Sequence, residues 1–274
     1  ITKLNRLQNN LELLTVDCQI KPKQSIGFNT EVIYSEKAET YIDIHDNLTF
    51  LDNGSFLWTS EKSGYNHIYL VNKTGKETQI TDGNWEVTDV KGINETTNKI
   101  YYISAEDGAT QRQLYAINLD GTNKTKLSTK KGTNDADFSN TFNYYINYHS
   151  DANTPYYITL HSNDGKQIKI LEENAPLRKK IAEYDFQPKE FFTFKTSEGI
   201  ELNGWRITPP NFDETKTYPI LMTCYNGPGI NLVNDSWGGS TMYWHQLMAQ
   251  KGYIVVCVDG RGTGYRGREF KHVT

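Results

Sequence analysis

A strand–turn–strand unit that recurs three times restricts this chain's fold more than any other feature. The segments 55–80, 99–127 and 143–171 pass through the same stages, and Ile68-Tyr69-Leu70-Val71, Leu114-Tyr115-Ala116-Ile117 and Tyr157-Ile158-Thr159-Leu160 occupy equivalent places in them. Each is followed by a Thr-Gly or Asp-Gly turn, at Gly75, Gly121 and Gly165, and then by a second strand such as Glu77-Thr78-Gln79-Ile80. Those dipeptides admit the positive φ that a tight hairpin requires. The period, roughly 40 to 47 residues, is that of one four-stranded propeller blade, and a two-sheet sandwich would have no need of it. Segment 1–43 adds strands of a further, incomplete blade, which gives about four antiparallel blades. Runs such as Leu11 to Asp17, Ser55 to Ser60 and His67 to Val71 read as half-buried strands. No helix-length period interrupts residues 1–174.

Near residue 186 the pattern changes. Phe191 to Lys195 and Glu201 to Ile207, joined by a Ser-Glu-Gly turn, make a hairpin that Pro209-Pro210 closes off. Two continuous apolar runs follow, Tyr218 to Tyr225 and Tyr253 to Asp259, of the kind expected for strands buried on both faces. Between them Trp244, Leu247 and Met248 recur at helical spacing, with Ser240 or Thr241 as N-cap and Gly252 as the stop. Strand, helix, strand at this length is a parallel crossover. The expected fold is therefore mixed: a partial β-propeller over 1–183, then the first part of an α/β-hydrolase fold over 184–274.

Composition excludes several classes of function. With 29 Lys and Arg against 33 Asp and Glu, scattered along the chain, there is no basic stripe for nucleic acid and no polybasic membrane patch. The three cysteines, Cys18, Cys224 and Cys257, form no C-x-x-C pair. Cys224 and Cys257 sit in the apolar runs, where a buried free thiol is expected. His45, His67, His149 and His161 show no spacing suited to a metal, so neither metal nor cofactor is expected. The chain opens on Ile1 rather than Met, and the expectation is a piece of a longer protein.

An antiparallel hairpin leading into a sheet that turns parallel is how an α/β-hydrolase begins, and there the loop after the third strand supplies part of the oxyanion hole. That loop is Tyr225-Asn226-Gly227-Pro228-Gly229, and Tyr225 is the candidate catalytic residue, a hydroxyl donor past a strand end. The alternative reading of Tyr225 is local packing at that strand end. No Gly-x-Ser-x-Gly elbow occurs, and His245 and His272 make no triad with Ser240, so nucleophile, base and acid are not assigned to this chain. Gly262-Thr-Gly264-Tyr-Arg-Gly267 has the G-x-G-x-x-G spacing, but no acidic residue follows at the distance a dinucleotide site needs. A glycine-rich turn leading into a helix accounts for it better.

Tyr225-Asn-Gly-Pro-Gly, Trp244 and the run from Gly252 through Asp259-Gly-Arg-Gly-Thr-Gly to Gly267 resemble the opening of the catalytic domain in dipeptidyl peptidase IV relatives of the prolyl oligopeptidase superfamily. Leu4-Asn-Arg-Leu-Gln-Asn-Asn-Leu, Ser60-Glu-Lys-Ser-Gly-Tyr-Asn-His and Thr81-Asp-Gly-Asn-Trp-Glu-Val-Thr resemble late-propeller segments of its bacterial members. The resemblance implies a parent that is a serine peptidase releasing N-terminal dipeptides, Xaa-Pro or Xaa-Ala, with a peptide as its substrate and Tyr225 in the oxyanion hole. It places the catalytic Ser, Asp and His after Thr274 and the amine-binding glutamates before Ile1, so the piece alone should be inactive. It further implies a bacterial periplasm or cell envelope, and it leaves homodimerisation open. A related prolyl oligopeptidase or acylaminoacyl peptidase, and a non-catalytic propeller binding module, remain as alternatives.

Overall fold

The computed structural model describes residues 1–20 and 26–273; the side chains of 18–20 and 26–28, and with them the thiol of Cys18, lie outside the described set. The chain forms two compact units, 1–63 with 67–81, and 64–66 with 82–274.

In the first unit, β1 (Thr2–Leu4), β2 (Asn10–Ile20) and β3 (Ile26–Lys37) make an antiparallel three-stranded sheet. The strands β4 (Thr49–Phe50), β5 (Phe56–Ser60), β6 (His67–Val71) and β7 (Glu77–Gln79) make a four-stranded antiparallel meander. Leu11, Leu13 and Tyr34 of the first sheet pack on Phe56, Trp58 and Val71 of the second. Side chains of that size each gain about 1.5–3 kcal/mol on burial. The expectation of half-buried strands fails at β5, which is buried along its whole length. Phe56 and Trp58 face the first sheet, while Thr59 is covered by the imidazole of His45, whose Nε2 lies 2.7 Å from the Thr59 carbonyl oxygen. A central strand enclosed on both faces has no polar side to display.

The second unit holds two further four-stranded meanders. One is β8 (Val87–Asn94), β9 (Lys99–Ser104), β10 (Gln113–Asn118) and β11 (Thr125–Lys126); the other is β12 (Thr133–Phe138), β13 (Tyr144–Asp151), β14 (Thr154–Ser162) and β15 (Gln167–Glu172). Tyr101, Ile103, Leu114, Ala116 and Leu127 of the one pack on Ala136 and Tyr145 of the other. The repeat read in the sequence is one of register: Tyr69 lies opposite Trp58, Tyr115 opposite Tyr102, and Ile158 opposite Tyr148. Gly75, Gly121 and Gly165 all have the positive φ their turns demand. Three four-stranded sheets and one of three strands are the partial propeller of about four antiparallel blades.

The first strand of each four-stranded sheet, β4, β8 and β12, escapes the sequence pattern. β4 has two residues, and β12 reads Thr-Asn-Asp-Ala-Asp-Phe, with a buried Asn134 in place of an apolar side chain. Asn134 is affordable there because its Nδ2 donates to the Lys130 carbonyl at 3.0 Å and to Gln113 Oε1 at 3.3 Å. Also unforeseen is α1 (Ala175–Ala182), which starts with a proline in its first turn and ends on Lys179 and Lys180, both favourable placements.

A mixed sheet follows, made of β16 (Glu190–Lys195), β17 (Glu201–Ile207), β18 (Ile220–Thr223) and β19 (Ile254–Asp259) in the order β16-β17-β19-β18. β16, β17 and β19 pair antiparallel, and β18 lies parallel to β19 across the crossover helix α2 (Gly239–Gln250). This is the expected switch from a hairpin to a parallel sheet. The expectation of strands buried on both faces is corrected. In β19 only Val255, Cys257 and Asp259 are fully buried, and on β18 Ile220 and Met222 are exposed, because α2 covers one face alone. Cys257 is buried as expected, which pushes its thiol up to about 12, whereas Cys224 falls just past β18 and is exposed.

Two details of α2 also differ. Its N-cap is Gly238, with no side-chain cap from Ser240 or Thr241. Its buried face is Met242, His245, Gln246 and Ala249, while Trp244 and Leu247 point outward. Ala249, packed among Trp205, Ile207, Val255 and Cys257, lets the helix approach the sheet closely. The G-x-G-x-x-G run is the expected turn into a helix, α3 (Arg268–Lys271).

Segment 231–237, between β18 and α2, is fastened to the propeller sheets of the same unit. Asp235 accepts from Gln111 Nε2 at 2.9 Å and from the Ala152 amide at 2.8 Å, and the Trp237 amide donates to Ser150 Oγ at 3.2 Å. Asn153 and Lys189 exchange two further hydrogen bonds, so the mixed sheet starts from a fixed point.

Candidate functional site

Tyr225 stands two residues beyond the end of β18, with 68% of its surface exposed. Its position follows from the local sequence. Asn226 takes a left-handed backbone (φ 52°), which an Asn tolerates better than most residues, and its Oδ1 accepts the Gly260 amide at 3.0 Å. Gly227 has no Cβ, and the Tyr225 ring occupies the space one would need. The Ile230 amide closes a turn onto the Gly227 carbonyl at 3.0 Å, and the Gly229 amide donates to the Gly262 carbonyl at 2.9 Å. The loop after β18 and the loop after β19 are thus stitched side by side.

Asp259, at the end of β19, anchors both. Its carboxylate accepts the Leu232 amide at 3.0 Å, the Val233 amide at 2.9 Å and Asn231 Nδ2. Burial raises its pKa above the ordinary 3.8, although these donors and the nearby Arg112 pull the other way. Beneath the loop, Trp205 donates its indole N–H to the Leu232 carbonyl at 3.3 Å. Such a frame can hold a phenol hydroxyl out past a strand end, where it could donate to an oxyanion.

The other residues weighed in the sequence do not converge on this point. Ser240 is on the first turn of α2, His245 is buried with its ring 5.2 Å from that of Trp205, and His272 follows α3, its amide bonded to the Arg268 carbonyl. Among the described residues no three His, Cys, Asp or Glu side chains cluster as metal ligands, and no helix is long and apolar enough to cross a membrane. Gly262 and Gly264 serve the backbone: an added Cβ at Gly264 would meet the Gly229 carbonyl oxygen at 2.6 Å. Sequence reasoning left Asn231 and Arg112 unremarked and met Asp259 only inside a motif. An acidic residue ending an apolar strand was the available signal for Asp259; for Arg112 there was none.

The arrangement has counterparts in known proteins. The sequence model of the dipeptidyl peptidase IV N-terminal region matches residues 1–156. Dipeptidyl peptidase 4 of Trichophyton rubrum is 30% identical over 97% of this chain, and a probable dipeptidyl-aminopeptidase B of Arthroderma otae is 34% identical over 76%. The crystal structure of Porphyromonas gingivalis dipeptidyl peptidase 4 superposes on 98% of the chain with a TM-score of 0.88 at 38% identity. The chain spans 35% and 23% of the length of those two curated relatives and 37% of the crystallised one. With the family's model covering more than half of its residues, this chain belongs to the dipeptidyl peptidase IV family.

Proposed function

We propose that the whole protein is a serine exopeptidase that releases Xaa-Pro or Xaa-Ala dipeptides from the N-termini of peptides, and that Tyr225 is one donor of its oxyanion hole. The observation that carries this is the placement of Tyr225 past the end of β18, the strand parallel to β19, on a loop pinned by Asn226 and Asp259. When a serine attacks a peptide carbonyl, negative charge gathers on the former carbonyl oxygen. A phenol O–H already aimed there stabilises the charged intermediate more than the neutral substrate, so its effect falls on turnover. The names of the relatives, dipeptidyl peptidase 4 and dipeptidyl-aminopeptidase B, support the reading. Residues 1–274 alone are inert, since they hold no Gly-x-Ser-x-Gly elbow.

The division of labour falls at 183/184. The last propeller sheet ends at Glu172, α1 follows, and the mixed sheet opens at Glu190. The whole protein works in the periplasm or envelope of a bacterium, a placement supported by the resemblance alone and checked by cell fractionation. Homodimerisation, which the resemblance leaves open, is checked by sedimentation of the whole protein.

The enzymatic test is hydrolysis of chromogenic Gly-Pro and Ala-Pro amides by the whole protein, with a serine-reactive phosphonate as control. Tyr225→Phe should lower kcat about 100- to 1,000-fold with an unchanged melting temperature. Undiminished turnover in that variant would remove Tyr225 from the site, and phosphonate-insensitive turnover would remove the serine mechanism.

A further inference from the structure

Arg112 lies at the start of β10, on a propeller sheet, yet its side chain reaches both loops that frame Tyr225. Its Nη1 donates to the carbonyls of Ala109 at 2.9 Å and Gln111 at 2.7 Å, which fixes the guanidinium to its own loop. Its Nη2 donates to Asn231 Oδ1 at 3.3 Å, and Asn231 in turn donates to Asp259. The flat face of the guanidinium rests 3.7 Å from the centre of the Tyr265 ring. Its backbone is held too, since the Arg112 amide donates to the Gly132 carbonyl and the Arg112 carbonyl accepts the Asn134 amide.

We propose that Arg112 is a positioning residue for the Tyr225 hydroxyl, an inference that rests on the oxyanion role proposed above. From Arg112 the contacts run through Asn231 to Asp259, whose neighbour Gly260 donates to Asn226, the residue after Tyr225. A second route runs through Tyr265 into the 259–265 loop, whose Gly262 carbonyl accepts the Gly229 amide. Both loops are held against one planar, rigid group that belongs to neither, so the propeller sheet sets the place of the donor.

The requirement is for arginine specifically. A guanidinium offers donors in a fixed fork and a face that stacks on an aromatic ring, whereas the lysine ammonium is a point charge on a flexible stem. Arg112→Lys keeps the charge, loses the stacking on Tyr265 and cannot serve all three acceptors in the same geometry. Displacement of a catalytic group by about 1 Å costs up to about 100-fold in rate.

The experiment is a double-mutant cycle on dipeptide-amide hydrolysis by the whole protein, combining Arg112→Lys with Tyr225→Phe. Arg112→Lys is expected to lower kcat about 10- to 100-fold with little change in KM, and to have no further effect in the Tyr225→Phe background. Tyr265→Leu, which removes both the stacking face and the hydroxyl that hydrogen-bonds Arg112, should show the same pattern and serves if Arg112→Lys fails to fold, as judged by thermal melting. If Tyr225→Phe slows the enzyme while the Arg112 and Tyr265 variants do not, the positioning role is overturned and the oxyanion role stands. An Arg112→Lys loss of equal size with and without the Tyr225 hydroxyl would also overturn it, since that would be a general structural defect. If Tyr225→Phe is itself without effect, the oxyanion reading fails, and this inference fails with it.

Discussion

Lys189 holds its ammonium 4.9 Å from the centre of the Trp205 ring, and His245 lies 5.2 Å from the centre of the same ring. Both basic groups are buried where the chain enters the mixed sheet. Burial lowers the Lys189 pKa, with Cys257 and Asp235 partly offsetting it. Burial also lowers His245, and the Lys189 charge adds to that lowering. The unfolded chain therefore binds more protons than the folded one in the window below 6.5, the ordinary histidine value. The stability associated with His245 is complete above that pH and is lost as the pH falls through the lower, folded value. Lys189→Met should raise the His245 pKa towards 6.5 in an NMR titration of its ring protons and shrink the acid-induced loss of stability. A His245 titration curve unmoved by that change would break the coupling between the two groups.

Gly264 and Gly229 pack backbone to backbone where the loops after β18 and β19 meet. An alanine Cβ at 264 would sit 2.6 Å from the Gly229 carbonyl oxygen, and no flexible side chain is there to yield. Gly264→Ala should therefore destabilise the chain by about 1–3 kcal/mol, as overpacking does, measured as a lowered midpoint in denaturant. A midpoint equal to that of the parent would mean the two loops are not held together as described.

Which parts of this fold could be read in the sequence follows from which residues carry periodic signals. Tyr69 and Tyr115 each sit six residues before a hairpin glycine and Ile158 sits seven before one, a spacing close enough to be visible as letters. β12 was hidden because its buried positions include Asn134, whose partners Lys130 and Gln113 are known only once the sheets are assembled. The outward face of α2 misled for a related reason: Trp244 and Leu247 look like core, but the sheet accepts small Ala249 and polar His245 and Gln246 instead. At the candidate site, Tyr225 was legible from the strand, glycine and proline around it. The contacts that hold its loop are not, since Arg112 and Asn231 are separated by 119 residues and meet only in the folded chain.

Asp259 tests whether burial or hydrogen bonding governs the carboxylate behind Tyr225. Three N–H donors converge on it, from Leu232, Val233 and Asn231, so Asp259→Ala leaves buried donors without an acceptor at a cost of about 1–3 kcal/mol. The folded pKa of Asp259 is raised above 3.8, burial outweighing the donors. A raised carboxyl pKa means that its stabilising contribution is complete below 3.8 and declines as the pH rises through the folded value. The stability gap between parent and Asp259→Ala should therefore narrow from acid towards neutral pH when both are unfolded in denaturant across that range. Every other titrating group is common to the two chains and cancels in the difference. A gap that widens with rising pH would mean that the three donors outweigh burial and that the carboxylate is held ionised, and the loop carrying Tyr225 would then be anchored by charge.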